Sequence, residues 1–218
     1  MTETYTGDVK VGGASDTRDT GPLTITKIAV GPMDNNAYLL RCTTTGDVLL
    51  IDAANEPDRL LRELGDDRLG RIVTTHQHFD HWQALPELFA ATGAPVAAHP
   101  LDAGELPVQV VEPLEDGDTV TVGDCELGVI HLVGHTPGSI ALLYRGPDRP
   151  HLFTGDSLFP GGVGRTTSPE DFASLVDDVE NKLFGTLPDD TWVYPGHGKD
   201  TTLGVERPSV PEWRQRGW

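Results

Sequence analysis

Thr74–Trp82 reads TTHQHFDHW, and no other stretch of the chain limits its architecture so tightly. It follows an apolar, β-like run and holds His76, His78 and His81 with Asp80 between them, three of the eight histidines in the protein. On a strand, side chains two apart point the same way, so His76 and His78 can approach one point as the strand ends. Asp80 and His81 then fall where the chain turns into a helix and can face a second point nearby. Imidazole and carboxylate without thiolate suit Zn²⁺, Fe or Mn²⁺ and argue against a structural cysteine-type zinc site. A lone histidine would read as a surface residue, but the spacing H-x-H-x-D-H reads as ligands.

Three further polar residues stand at the ends of apolar runs beside glycine: His135 in LVGHTPGS, Asp156 in LFTGDSLF and His197 in VYPGHGKD. Glycine lets the backbone turn sharply and deliver a side chain to a strand edge. Loops at strand ends are where α/β proteins carry their chemistry. Each pair alone is an ordinary turn signal; four stations in order form a pattern.

Around these stations the chain alternates short strands and helices. LTITKIAV (23–30), AYLLRC (37–42), DVLLIDA (47–53) and RIVTTH (71–76) read as strands, and EPDRLLREL (56–64) as a helix. HWQALPELFAATG (81–93) reads as a helix closed by Gly93, with Pro86 early in it or kinking it. PVAAH, VQVVEP, DTVTVG, ELGVIHLVG, SIALLYR and HLFTGD form a second set of strands, and TWVYPGHG a last one. SPEDFASLVDDVENKLF is the clearest helix. Ser168 serves as N-cap, Pro169 as first helical residue, and Phe172, Leu175, Val176, Val179 and Leu183 form one buried stripe. Residues 1–21, polar and rich in Gly, Thr and Asp, read as a flexible tail; residues 22–218 read as one α/β domain without an internal repeat.

Sixteen basic against 34 acidic residues give a formal charge of −18, a field that repels nucleic acid and anionic lipid. The N-terminus has neither the basic nor the apolar region of a secretory signal, and no apolar run is long enough to span a bilayer. Cys42 and Cys125 lie in apolar, strand-like contexts and read as buried free thiols of a reducing cytoplasm. The expectation is a soluble cytoplasmic protein, monomer or homodimer, acting on a small molecule.

The series THQHFDH…GHTPGS…TGDSLF…YPGHG resembles the metallo-β-lactamase superfamily and, within it, the glyoxalase II-like (hydroxyacylglutathione hydrolase-like) hydrolases, from about Ile25 to about Arg207. The resemblance implies a four-layer αββα sandwich: two mixed β-sheets flanked by helices, with a metal site at one edge. Carried over by motif, His76, His78 and His135 bind one divalent ion, Asp80, His81 and His197 a second, and Asp156 bridges them, with zinc first and iron or manganese as alternatives. Two such ions about 3.5–4 Å apart share a water and lower its pKa. Seven ligands with only two negative charges leave a positive site that attracts anionic substrates. Asp80 is also a candidate for accepting a proton in passing. Asp52 resembles the strand-end aspartate that orients ligands, or is a turn residue. Arg165, in GGVGRT, is a candidate for meeting a substrate carboxylate or for bracing its loop. Tyr194 is a candidate substrate contact or a packed strand residue. His99, His131 and His151 fit no station.

Among the family's reactions, the expectation is thioester hydrolysis of S-acyl (2-hydroxyacyl) thiol conjugates by a metal-bridging hydroxide. A thiolate of pKa about 8.5 leaves without a general acid, and TTLGVER after the last histidine resembles the short glyoxalase II-like proteins. Class B β-lactamases lack the bridging aspartate, RNA-processing members carry an inserted domain, and the glutathione-holding helical domain of longer glyoxalase II has no counterpart here. The alternative is a persulfide dioxygenase with one iron on His76, His135 and Asp156. Those enzymes usually show a cysteine after the GD station and a PAHDY-like last motif, where this chain has PGGVGRT and PGHG. Lactone or other ester hydrolysis stands third. A scaffold without chemistry would be expected to lose ligands, and none of the seven is missing.

Overall fold

The computed structural model describes residues 5–217. Seven strands make the first sheet and lie side by side in chain order: β1 (Asp16–Asp19), β2 (Leu23–Val30), β3 (Asn35–Cys42), β4 (Val48–Ile51), β5 (Leu69–Val73), β6 (Val96–Ala98) and β7 (Glu112–Pro113). β1 to β4 pair antiparallel through short turns. From β4 onward the pairing is parallel, because α1 (Pro57–Leu64) and α2 (Leu85–Thr92) carry the chain back across the sheet. A single turn, α3 (Pro100–Ala103), follows β6.

The second sheet contains β8 (Thr119–Val122), β9 (Cys125–His131), β10 (Ile140–Arg145) and β11 (Pro150–Gly155). After a small hairpin of β12 (Leu158–Phe159) and β13 (Gly162–Val163) and the helix α4 (Pro169–Asp178), it gains β14 (Trp192–Pro195) and β15 (Thr201–Thr202). Its order is β15-β14-β11-β10-β9-β8, with β11 and β14 parallel. Two last helical segments are α5 (Leu203–Glu206) and α6 (Val210–Arg216).

Strand periodicity sorts the apolar residues into three cores. Tyr38, Leu40 and Cys42 of β3 face the second sheet and pack with Leu127, Leu142 and Phe153. Their neighbours Ala37 and Leu39 point the other way, to Leu60 and Leu64 of α1 and Leu85 and Leu88 of α2. On the far side, Ala141, Leu143 and Leu152 pack against Leu175, Val176 and Leu183 of the α4 segment and Trp213 of α6. Mixed sheets between helices, in four layers, are therefore the architecture. α4 starts where the sequence places it: the Asp171 amide donates to Ser168 Oγ at 3.0 Å, and Pro169 occupies its first turn. Beyond Asp178 the helix widens to a π-type turn through Phe184.

Several elements differ from expectation. The segment 1–21 is not a free tail where it is described, although Met1–Thr4 lie outside the described residues. Asp16–Asp19 pairs with β2, the Arg18 guanidinium lies 3.8 Å from the Trp192 ring centre, and Tyr5 packs edge-on to Trp192. Polar composition hid this, since the partners lie across the sheets. The helix expected from His81 begins at Leu85, with Phe79–His81 forming a separate 3₁₀ turn. Pro86 has no amide to donate and fits only the first turn of a helix. Of VQVVEP only Glu112–Pro113 pairs, at the sheet edge, while Val108 and Val110 pack against the α1–α2 core. Among the described residues no helix is long and apolar enough to cross a membrane.

Candidate metal centre

All four stations reach one edge of the sandwich, beyond the C-terminal ends of β5, β9, β11 and β14. β5 stops at Val73, so His76 and His78 sit in the following loop and not on the strand. Strand alternation does not align them. Two buried carboxylates shape that loop instead. Asp52 accepts the Thr75 amide at 2.8 Å and the Thr75 hydroxyl at 2.9 Å. Asp102 accepts the Gln77 amide at 2.9 Å, and it binds the second loop through the Thr136 hydroxyl at 2.6 Å and the Gly138 amide at 2.7 Å.

The same contacts fix the rings. Asp52 Oδ2 accepts from His81 Nδ1 at 2.8 Å. The Thr75 hydroxyl, which spends its proton on Asp52, accepts from His76 Nδ1 at 3.0 Å. His135 Nδ1 donates to the Arg165 carbonyl at 2.6 Å, and His197 Nδ1 to the Met33 carbonyl at 2.9 Å. Four histidines are thus held with Nδ1 protonated and Nε2 aimed inward, the arrangement that second contacts impose on metal-binding imidazoles. Asp52 adopts a left-handed backbone conformation with φ 57°, a strain an aspartate tolerates better than most residues and that marks functional positions.

The inward atoms fall in two halves. Donor atoms of His76, His78 and His135 lie within 4.8 Å of one another, as do those of Asp80, His81 and His197. Asp156 stands between, 3.3 Å from His81 Nε2, 3.4 Å from His197 Nε2 and 3.6 Å from His135 Nε2. All seven side chains the sequence singled out converge.

Charge and burial pull the two halves apart. Burial, reinforced by His81, holds His76 well below the usual imidazole range, and burial lowers His135 too; both present free lone pairs. Burial also opposes charge on His81, but Asp156 and Asp52 outweigh it and push the ring well up. For His197, burial is overcome by hydrogen bonds to Asp156 and Asp80, which raise it to about 10. Burial would raise Asp80 and Asp156, yet the neighbouring histidines hold both carboxyls below the usual range, with Asn35 assisting at Asp80.

The donor set fits divalent cations on three counts. Two Nε2 pairs face each other, His76 with His135 at 3.2 Å and His81 with His197 at 3.3 Å, and a shared cation relieves that opposition. Among the described residues Asp156 Oδ1 is buried without an aligned hydrogen-bond donor, although His81 Nε2 lies 3.3 Å away. Finally, a Cβ on Gly196 would lie 2.6 Å from His81 Cε1 and would overlap Asp156 Oδ1, so the missing side chain is what leaves room for the cluster.

Residues 30–197 match the family model of the metallo-β-lactamase superfamily. The chain belongs to that superfamily. Among its relatives is the hydroxyacylglutathione hydrolase of Fuscovulum blasticum, 41% identical over 169 residues, a match covering 75% of this chain and 62% of the relative. Among solved structures, TTHA1623 in a di-iron-bound form is 35% identical with a TM-score of 0.70, covering 86% of this chain and 99% of that one. ETHE1 from Myxococcus xanthus is 30% identical with a TM-score of 0.73, covering 86% and 83%.

Within this superfamily member the remaining sequence candidates separate. Tyr194 is fully buried in the core between the sheets, stacked on Phe153 and hydrogen-bonded to His151 at 2.9 Å. It cannot meet a substrate, because the pleat of β14 turns it inward. Arg165 is exposed and lines a cleft of about 310 Å³ with Val163, Phe172 and Arg216; its main chain, not its side chain, holds His135. His99 and His131 stack on each other at 4.0 Å and take no part in the cluster. Sequence reasoning missed Asp102 and also Asn35, whose Nδ2 donates to Asp80 Oδ2 at 2.9 Å. The readable signal for Asp102 was an acid just past the apolar VAAH run, at the same edge as the other stations.

Proposed function

We propose that the chain is a two-metal hydrolase that cleaves S-acyl, in particular 2-hydroxyacyl, thiol conjugates. The observation that carries this reading is the position of Asp156, between a three-histidine half and an Asp80–His81–His197 half that are both fully formed. Bound divalent ions, zinc first and iron or manganese as alternatives, would supply Lewis acidity and a water activated near neutral pH.

The chain's own residues supply placement. His76, His78 and His135 would hold one ion, and Asp80, His81 and His197 the other, with Asp156 shared. Asp80 is a ligand rather than a proton acceptor in this scheme, since its neighbours hold its carboxyl far below neutrality. His76 and His81 are buried and close the floor to solvent, whereas His78 is exposed and His197 half-buried, so substrate enters from their side. No general acid is required of the protein, because a thiolate leaves unaided. The positive charge of a loaded site draws an anionic thioester despite the acidic surface. Likeness to hydroxyacylglutathione hydrolases at about 40% identity supports the reaction class. The chain spans 62% of their length, so the thiol carrier is the open part of the proposal. Two free, buried cysteines accord with a cytoplasmic setting.

Likeness to ETHE1 supports a second reading, a persulfide dioxygenase with one iron on His76, His135 and Asp156. Purified protein assayed in parallel on a 2-hydroxyacyl glutathione thioester and on glutathione persulfide separates the two. Thioester turnover that Asp156→Ala abolishes, without oxygen uptake, is the expected result. Stoichiometric oxygen consumption on the persulfide and an inert thioester would overturn it.

A further inference from the structure

Lys27 occupies a position of β2 that faces the inter-sheet core, two residues after Ile25 and four after Leu23, and it is completely buried. An ammonium there is costly unless every proton finds a partner. All three do: Lys27 Nζ donates to the Gly7 carbonyl at 2.8 Å, the Gly198 carbonyl at 2.7 Å and Asp200 Oδ1 at 2.7 Å. The other Asp200 oxygen accepts from the Tyr5 hydroxyl at 2.7 Å and Trp192 Nε1 at 2.8 Å. A packed apolar pair would stabilise such a site as well or better. What the ion pair adds is direction, because it fixes particular carbonyls.

One of them, the Gly198 carbonyl, directly follows His197, and the turn is held from both sides. On its N-terminal side the Pro195 carbonyl is held by Tyr38 at 2.6 Å and Asn36 at 2.9 Å. On its C-terminal side the Gly198 carbonyl is held by Asn36 at 3.0 Å and by Lys27. Gly198 itself is left-handed, at φ 67°, so without these anchors the turn carrying His197 would be free to relax. Gly7 brings the N-terminal segment onto the same ammonium, and a Cβ there would strike Asp200.

We infer that Lys27 and Asp200 are positioning residues for His197, and that the segment around Tyr5–Gly7 is the strap that completes their pocket. Loading of the Asp80–His81–His197 half then depends on this strap, whereas the His76–His78–His135 half does not. The metal consequence rests on the two-metal reading above; the placement of the His197 ring does not.

The test uses the full chain with Lys27→Met and Asp200→Asn combined, so that no unpaired charge is left buried, and Tyr5→Phe as a milder variant. In metal-stripped protein, imidazole ¹⁵N NMR should show one sharp His197 ring with Nδ1 protonated in the wild type. That signal should broaden or double in the variant, with His135 unchanged. In cobalt titration the second ion should bind about 10–100-fold more weakly, the range seen when outer contacts of metal ligands are removed, and the first as in the wild type. Tyr5→Phe should shift the same signal and the same step by less, and it decides the matter if the double variant does not fold. An unchanged His197 signal, or equal weakening of both cobalt steps, would overturn the inference. A wild type that binds a single ion would sink the two-metal reading instead, and the ring signal would still decide for or against the strap.

Discussion

Gly196→Ala tests the geometry of the cluster with one methyl group. The backbone at Gly196 is not among the left-handed positions, so alanine meets no left-handed penalty there and the clash is the dominant effect. Its Cβ would stand 2.6 Å from His81 Cε1, against about 3.5–4.0 Å for carbon atoms in ordinary contact. His81 must therefore retreat by roughly 1 Å, several times the ~0.2 Å tolerance of a metal–ligand bond. It cannot do so alone, since its Nδ1 is tied to Asp52 at 2.8 Å. Asp156 Oδ1, nearer still to the new methyl group, must move as well. The expected outcome is loss of at least one equivalent of metal and of about 10²-fold or more in turnover, the cost of a 1 Å misplacement. Elemental analysis alongside steady-state kinetics reads both, with the thermal midpoint of the chelated protein as the control on folding. A variant with full metal content and wild-type turnover would refute the reasoning, because the cluster could not then be as tight as described.

Asp52→Ala removes the acceptor for His81 Nδ1 and for the Thr75 hydroxyl; metal affinity should fall about 10–100-fold, read by competition with a chromogenic chelator. Asp102→Ala strands three donors, the Gln77 and Gly138 amides and the Thr136 hydroxyl. At about 1 kcal/mol or more for each, the protein should lose roughly 3 kcal/mol, or about 6–12 °C in thermal midpoint. In chelated protein, His197 titrates near 10, above its ordinary value. Its folded pKa exceeds its unfolded one, so its contribution to stability is complete below about pH 6.5 and is lost as pH rises toward 10. The thermal midpoint of the chelated protein should fall across that window, and a flat profile would count against proton retention at His197.

The cluster was legible in the sequence because its residues are chemically distinctive and sit at glycine-marked ends of apolar runs. His76, His78, Asp80 and His81 are close along the chain, and His135, Asp156 and His197 each carry their own turn signal. What orients them was less visible. Asp102 acts on Thr136 from 34 residues away, Asn35 on Asp80 from 45, and Lys27 on Asp200 from 173, and no local pattern marks such partners. α4 was readable from its cap and stripe because helix signals are local. The N-terminal segment was misread for the opposite reason: its order comes from Lys27, Trp192 and Asp200, all remote in sequence. Tyr194 shows how adjacency misleads. It lies three residues from His197, yet one pleat of β14 sends it into the core.

Crystals of metal-loaded protein, with anomalous difference maps recorded at the absorption edge of the bound metal, test the central arrangement directly. The expected map shows two peaks about 3.5–4 Å apart, one against His76, His78 and His135, the other against Asp80, His81 and His197, with Asp156 reaching both. A single peak, or Asp156 turned away from a pair of peaks, would contradict the account.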